Sequence, residues 1–162
     1  MARYQTQKLH DFIESFIEGK MKLEINREKT KVVDLRKEKS SLDFLGFTFR
    51  FDRDLHGQSK KYLNVFPSKK AMEREKEKLR LMTNKSVCFK PLPELVMDIN
   101  RHLYGWKNYF NFGYPRKDFR MLNSFVRTRL TKHTQRRSQR SFKPPKGISY
   151  YGQFKAFKLL YL

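Results

Sequence analysis

The sequence predicts an α+β fold: one helix and small antiparallel strands, then about three longer helices and a basic tail. Three patterns carry this prediction. Apolar residues recur at helical spacing near the start of the chain. They switch to strict alternation near residue 45, and beyond residue 67 they return to helical spacing in longer stretches.

The first helix spans residues 6 to 18. Leu9, Phe12, Ile13, Phe16 and Ile17 share one face, Asp11, Glu14 and Glu18 lie opposite, and Gly19 is the expected stop. MKLEINREKTKVVDL follows, with short apolar pieces around a polar turn from Asn26 to Lys29. SLDFLGFTFRF then alternates, with Leu45, Phe47, Phe49 and Phe51 on one face and Gly46, Thr48 and Arg50 on the other, as in a half-buried strand. DRDLHGQSKK reads as a turn containing Asp52 and Asp54, and YLNVF as the hairpin partner ending at Pro67.

Ser68 is a good N-cap for a second helix running to about Met82. There Lys70, Arg74 and Lys78 form one stripe, with Glu73, Glu75 and Glu77 interleaved. A solvated, salt-bridged face and a polyanion-binding face are equally compatible with that pattern. From Pro93 to about Phe110, Leu95, Val96, Ile99, Leu103, Trp106 and Phe110 form a core stripe. Tyr104, Tyr109 and Phe112 point elsewhere, and with Arg101, Lys107 and Asn108 they suit contact with sugar, phosphate or an unstacked base. A further helix from about Lys117 to His133 buries Phe119, Leu122, Val126 and Leu130. Pro144, Pro145 and Gly147 predict an irregular tail.

Charge narrows the function classes. Lys and Arg number 37 against 16 Asp and Glu, a net +21 with a pI near 10.2. Such self-repulsion adds nothing to folding, so it points to a polyanionic partner, nucleic acid before membrane. After Asp118 no acid occurs, and the last 44 residues carry +11. Arg120, Arg127, Arg129, Lys132, Arg136, Arg137 and Arg140 are the expected phosphate contacts there. Lys69, Lys70, Arg74 and Lys78 are those of the second helix.

No apolar run approaches the ~20 residues of a membrane-spanning helix. Cys88 is the lone cysteine, and His10, His56, His102 and His133 are scattered. The reading is therefore an intracellular, reduced, cytoplasmic compartment, with no metal and no cofactor.

Several segments together resemble a known family. LEINREKTKVVDL followed by LDFLGFTF looks like the end of the palm in group II intron reverse transcriptases. PSKKAMEREKEKLR, LPELVMDINRHLYGWKNYF and LNSFVRTRL are similar to the maturase-specific thumb, domain X. The resemblance implies a palm remnant over residues 1–66, a thumb over 67–135 and a basic tail over 136–162. It matches Asn26, Lys29 and Thr30 to a palm block near the incoming nucleotide's phosphates, and Phe44, Leu45 and Gly46 to a strand that helps hold the primer end. Gly105, Trp106, Tyr109 and Phe110 match the thumb's signature helix.

The family's polymerase centre needs paired aspartates to hold two Mg²⁺, and no adjacent Asp-Asp occurs here. The expectation is thus a non-catalytic, RNA-binding maturase-type fragment that helps intron RNA fold and splice. Its partner would be structured group II intron RNA, or an RNA/DNA duplex. Two alternatives stand: the C-terminal part of a split RNA-directed DNA polymerase, or a generic basic nucleic-acid-binding module. The apolar face of the first helix predicts association with a catalytic half or with a second copy.

Overall fold

A computed structural model describes residues 6–53, 60–139 and 142–162. The chain is α+β and divides into two compact units, Met1–Asp34 and Leu35–Leu162. The strands therefore fall in the same unit as the long helices, not with the first helix.

In the first unit, α1 spans Gln7–Ser15 and runs on as a π-helical turn over Phe16–Lys20. Gly19 lies within that turn and does not stop the helix, as it was expected to; the ladder widens at Phe16 instead. Phe12, Ile13 and Phe16 stay exposed, with the Phe12 and Phe16 rings stacked 6.2 Å apart.

The second unit opens with an antiparallel sheet ordered β1-β2-β3: Leu42–Phe44, Phe47–Arg53 and Lys61–Pro67. The single strand expected across Leu45 and Gly46 is in fact two. Phe44 pairs with Phe47, leaving a two-residue hairpin loop. Leu45 and Gly46 have φ of +49° and +82°, so both central positions are left-handed, as a type I′ turn requires. Alternation alone does not register such a turn, because Leu is a poor left-handed residue and Gly46 supplies the only hint. β2 continues antiparallel to β3 from Phe47↔Pro67 to Arg53↔Lys61, as the hairpin reading of YLNVF required.

Helices α2 (Lys69–Met82), α3 (Leu92–Phe110) and α4 (Arg116–Arg136) follow within a few residues of their expected bounds. The Ser68 hydroxyl accepts from the Ala71 amide at 3.2 Å and caps α2. Met72 and Leu79 of α2 meet Leu95, Val96, Ile99 and Leu103 of α3 and Leu122, Val126 and Leu130 of α4 in one core. Phe110 is buried, and Trp106 packs partly buried against the core, 4.5 Å from the Phe110 ring and 5.7 Å from Phe119. Gly113, with φ of +79°, closes the turn after α3. A Cβ there would stand 2.3 Å from the Val65 carbonyl oxygen, so no other residue fits.

The tail is not irregular as expected. It forms α5 (Tyr150–Ala156), capped by Ser149, whose Phe154 is 1 % exposed in the core. Two asparagines then clasp the final stretch by imitating a strand edge. Asn100 donates to the Lys158 carbonyl and accepts from the Leu160 amide, at 2.8 and 2.7 Å. Asn123 does the same with both backbone groups of Leu162, at 3.2 and 3.1 Å. Apolar burial outweighs the Pro and Gly breakers, which sit before the helix and not inside it.

Candidate nucleic-acid interface

Helical geometry sorts the α2 charges. Met72, Glu75 and Leu79 turn inward at i, i+3 and i+7, which sends Lys70, Arg74 and Lys78 outward, with Lys69 beside them. None of these four cations has a carboxylate within ion-pair distance among the described residues, whereas Glu77 is held by Arg80 at 2.8 Å. Glu75 leaves the surface altogether. It is 5 % exposed, and its carboxylate oxygens lie 2.9 and 3.0 Å from His102 Nε2. Burial raises the Glu75 carboxyl above its ordinary value, and the His102 ring opposes that rise.

On α3 the face opposite the core presents Met97, Arg101, Tyr104 and Asn108, all exposed. Lys107 is half-buried and reaches the Tyr161 carbonyl at 3.5 Å, so it braces the C-terminal stretch. Tyr109 is 54 % exposed, yet its hydroxyl donates to the Leu45 carbonyl at 2.8 Å and fixes the hairpin tip against α3.

The α4 cations divide into two kinds. Arg120, Lys132 and Arg136 are exposed. Arg129 points into the fold instead: Nε donates to Thr83 Oγ1 at 3.0 Å, and Nη2 to the carbonyls of Thr83 and Arg80 at 3.3 and 3.4 Å. Burial, then the neighbouring Arg136 and Arg80, push its guanidinium below the usual value. Arg137 donates to the Cys88 carbonyl at 3.2 Å, and Arg127 lies over the Tyr151 ring. Arg140 and Asp54 are outside the described residues.

The palm-type residues build local structure. Asn26 Oδ1 accepts from the Lys29 amide at 3.0 Å, and the Asn26 carbonyl accepts from the Thr30 amide and hydroxyl at 3.0 and 2.8 Å. That one turn leaves the exposed Lys29 side chain outward. Phe44 and Leu45 are exposed at the hairpin tip, while Gly46 packs toward Phe110 and Ala71. Asp52 lies in β2 and not in a turn. Its carboxylate takes two bonds from Arg50, at 2.7 and 3.0 Å, and one from Asn64 at 2.7 Å. The Arg50 bonds hold it below the ordinary carboxylate range. Among the described residues no group of three or more His, Cys, Asp or Glu is placed to hold a metal ion. No described helix is long and apolar enough to cross a membrane.

Sequence reasoning missed His133, Thr83, Asn100 and Asn123. His133 is 1 % exposed, with Nδ1 3.4 Å from the Thr83 carbonyl. Nothing in the local pattern marks His133, Asn100 and Asn123, because each acts on backbone distant in sequence, whereas Thr83 bonds the Leu79 carbonyl one turn back and receives Arg129 from α4. The tail helix did carry a signal: Tyr150, Phe154 and Phe157 stand at i, i+4 and i+7.

These features define an α+β chain whose helical bundle carries exposed cations, several with no carboxylate in ion-pair distance among the described residues, outside an aliphatic and aromatic core. Residues 72–146 match the family described as the group II intron, maturase-specific domain. The match runs from Met72 in α2 through α3 and α4 into the connection before α5, and it bears out the maturase resemblance over that bundle. The matched domain is the maturase-specific one, not the catalytic polymerase domain. No curated protein compared with the chain matches it.

Proposed function

We propose that this chain binds structured group II intron RNA and assists its folding for splicing, without catalysing a reaction of its own. One observation carries the reading: within and beside the matched domain, Lys69, Lys70, Arg74 and Lys78 project from α2 with no carboxylate partner among the described residues. Arg101, Arg120, Lys132 and Arg136 extend the same free charge over α3 and α4. Such cations neutralise phosphates and release counterions, and the bundle fixes their spacing. A-form grooves offer side chains little sequence information, so recognition is by shape, and an RNA/DNA duplex is a weaker second ligand. Asp52, held by Arg50 and Asn64, supports no metal-dependent step.

Binding to a folded group II intron RNA across a salt series tests this. Replacing Lys70, Arg74 and Lys78 by Gln flattens the slope of log affinity against log salt by about 2–3, at roughly 0.7–0.9 per phosphate contact. Arg129→Gln leaves that slope unchanged, because its guanidinium is held by backbone. An undiminished slope in the triple variant rules out α2 as the phosphate-binding face.

A further inference from the structure

An open cleft of ≈ 480 Å³ lies where the β1–β2 hairpin tip meets α2 and α3. That volume is in the range of sites that hold one small organic group, roughly 300–1,000 Å³. Leu45 and Gly46 form one lip, Ala71, Arg74 and Glu75 of α2 another, and the rings of Trp106, Tyr109 and Phe110 supply the rest.

Three properties of this wall point to the same ligand. First, it is aromatic and partly open: Tyr109 is 54 % exposed and Trp106 only half-buried, although both contact the core rings. Second, Arg74 at the rim is exposed and has no carboxylate partner among the described residues. Third, the carboxylate that lines the cleft, Glu75, is 5 % exposed and is held by His102 Nε2 at 2.9 and 3.0 Å, so it does not neutralise Arg74. A π-face beside a phosphate-seeking cation describes a nucleotide.

We propose that the cleft receives one unpaired nucleotide of the bound RNA. The base rests against Trp106 and Tyr109, and the phosphate meets Arg74. The inference rests on the RNA-binding reading and adds a site to it. Outward cations recognise backbone along a duplex, whereas the cleft selects a bulged or looped-out residue, whose unstacked base is free to enter. Leu45 supports this arrangement: it keeps a left-handed φ of +49° and a 69 % exposed side chain at the lip, held there by the Tyr109 hydroxyl.

The test uses the full chain and three RNA hairpins of one sequence: fully paired, with a single guanine bulge, and with an abasic residue at the bulge. Trp106 is the only tryptophan, so its fluorescence reports on the cleft directly. The guanine-bulged hairpin should quench Trp106 and bind about fivefold or more tighter than the paired one, as expected for one base stacked on aromatic side chains. The abasic hairpin keeps the same backbone and should behave like the paired hairpin. Ala71→Met, which fills the cleft and alters no charge, should erase the preference and leave affinity for the paired hairpin within about twofold. Equal binding of all three hairpins with unquenched Trp106 overturns the cleft proposal and leaves the RNA-binding reading standing. Failure to bind any of them while the folded intron RNA still binds overturns the cleft proposal alone, and failure to bind the intron RNA as well overturns both. Because the abasic comparison uses unmodified protein, the outcome does not depend on whether Ala71→Met folds.

Discussion

Gly105 lies inside α3 in ordinary helical conformation, and nothing stands within 4 Å of where its Cβ would be. The fold therefore gains nothing from glycine there, and the helix interior pays roughly 0.5–1 kcal/mol relative to Ala. Its helical neighbours are Arg101 one turn before and Asn108 and Tyr109 one turn after, all exposed. Close approach of an RNA backbone is the use that fits a bare spot among such side chains. Gly105→Ala should raise the melting temperature by a few degrees, in line with about 0.5–1 kcal/mol for a domain of this size. It should also weaken RNA binding. Melting and a filter-binding titration on the same preparation check both, and a stabilised variant with full affinity would make Gly105 functionally neutral. Single residues were legible in the sequence to unequal degrees. Asn26 and Lys29 are visible as the ends of a polar turn, because the side chain that caps a turn sits next to the backbone it caps. The inward turn of Arg129 is not legible, because its acceptors lie 46 and 49 positions away in sequence.

The end of α2 shows how elements complete one another. Its C-cap turn bonds the Arg80 and Leu81 carbonyls, and the Thr83 hydroxyl bonds that of Leu79. To this α4 adds a second layer: Arg129 bonds Arg80 and Thr83, while His133 one turn later stands against Thr83. One more turn on, Arg137 bonds Cys88 in the α2–α3 connection. This ladder at i, i+4 and i+8 holds α4 in place, so Arg129→Gln should cost about 1–3 kcal/mol, the range for losing hydrogen bonds made by a charged donor. Lys132→Gln, on the exposed face, should stay within about 0.5 kcal/mol of the parent. Chemical denaturation of the two variants decides it, and equal stabilities would remove the ladder from the account. His133 adds a pH dependence. Burial above all, with Arg137 and Arg129 nearby, pushes its imidazole below 6.5, against the pull of the Thr83 carbonyl. The unfolded chain therefore takes up this proton before the folded one does. Stability is intact above about 6.5 and falls as pH drops through the folded value. Glu75 works in the opposite sense, its raised carboxyl costing stability as pH rises, but it is common to parent and variant. His133→Gln should thus flatten the loss of stability between pH 7.5 and about 5. The elements themselves were largely legible. Core stripes of long helices repeat over several turns and outvote local noise, which is why α2, α3 and α4 were placed well. The hairpin tip and α5 were not, since each spans few residues and depends on contacts that close only in the fold.

At the scale of the whole molecule, stability and charge both gather in one unit. Every buried hydrophobic residue described lies between Val65 and Leu159, and no described residue of the first unit is buried. Of the net +21, residues 1–34 contribute +1, from seven bases against six acids. Residues 35–162 therefore hold both the folding energy and the polyanion-binding field. A chain shortened to 35–162 should unfold cooperatively within a few degrees of the full chain's melting temperature, because it loses no buried apolar area of consequence. Its affinity for intron RNA should show the same salt slope within about one unit, roughly a single phosphate contact. Self-association should follow the other unit. Phe12, Ile13 and Phe16 form an exposed apolar face on α1 and the π-helical turn after it, and patches of that kind favour association when nothing covers them. Light scattering on the two chains side by side makes the comparison. The shortened chain should remain monomeric at concentrations where the full chain does not. If instead it melts far lower or its salt slope drops by several units, residues 1–34 contribute to the fold or to the RNA contact, and the division of labour between the two units is wrong.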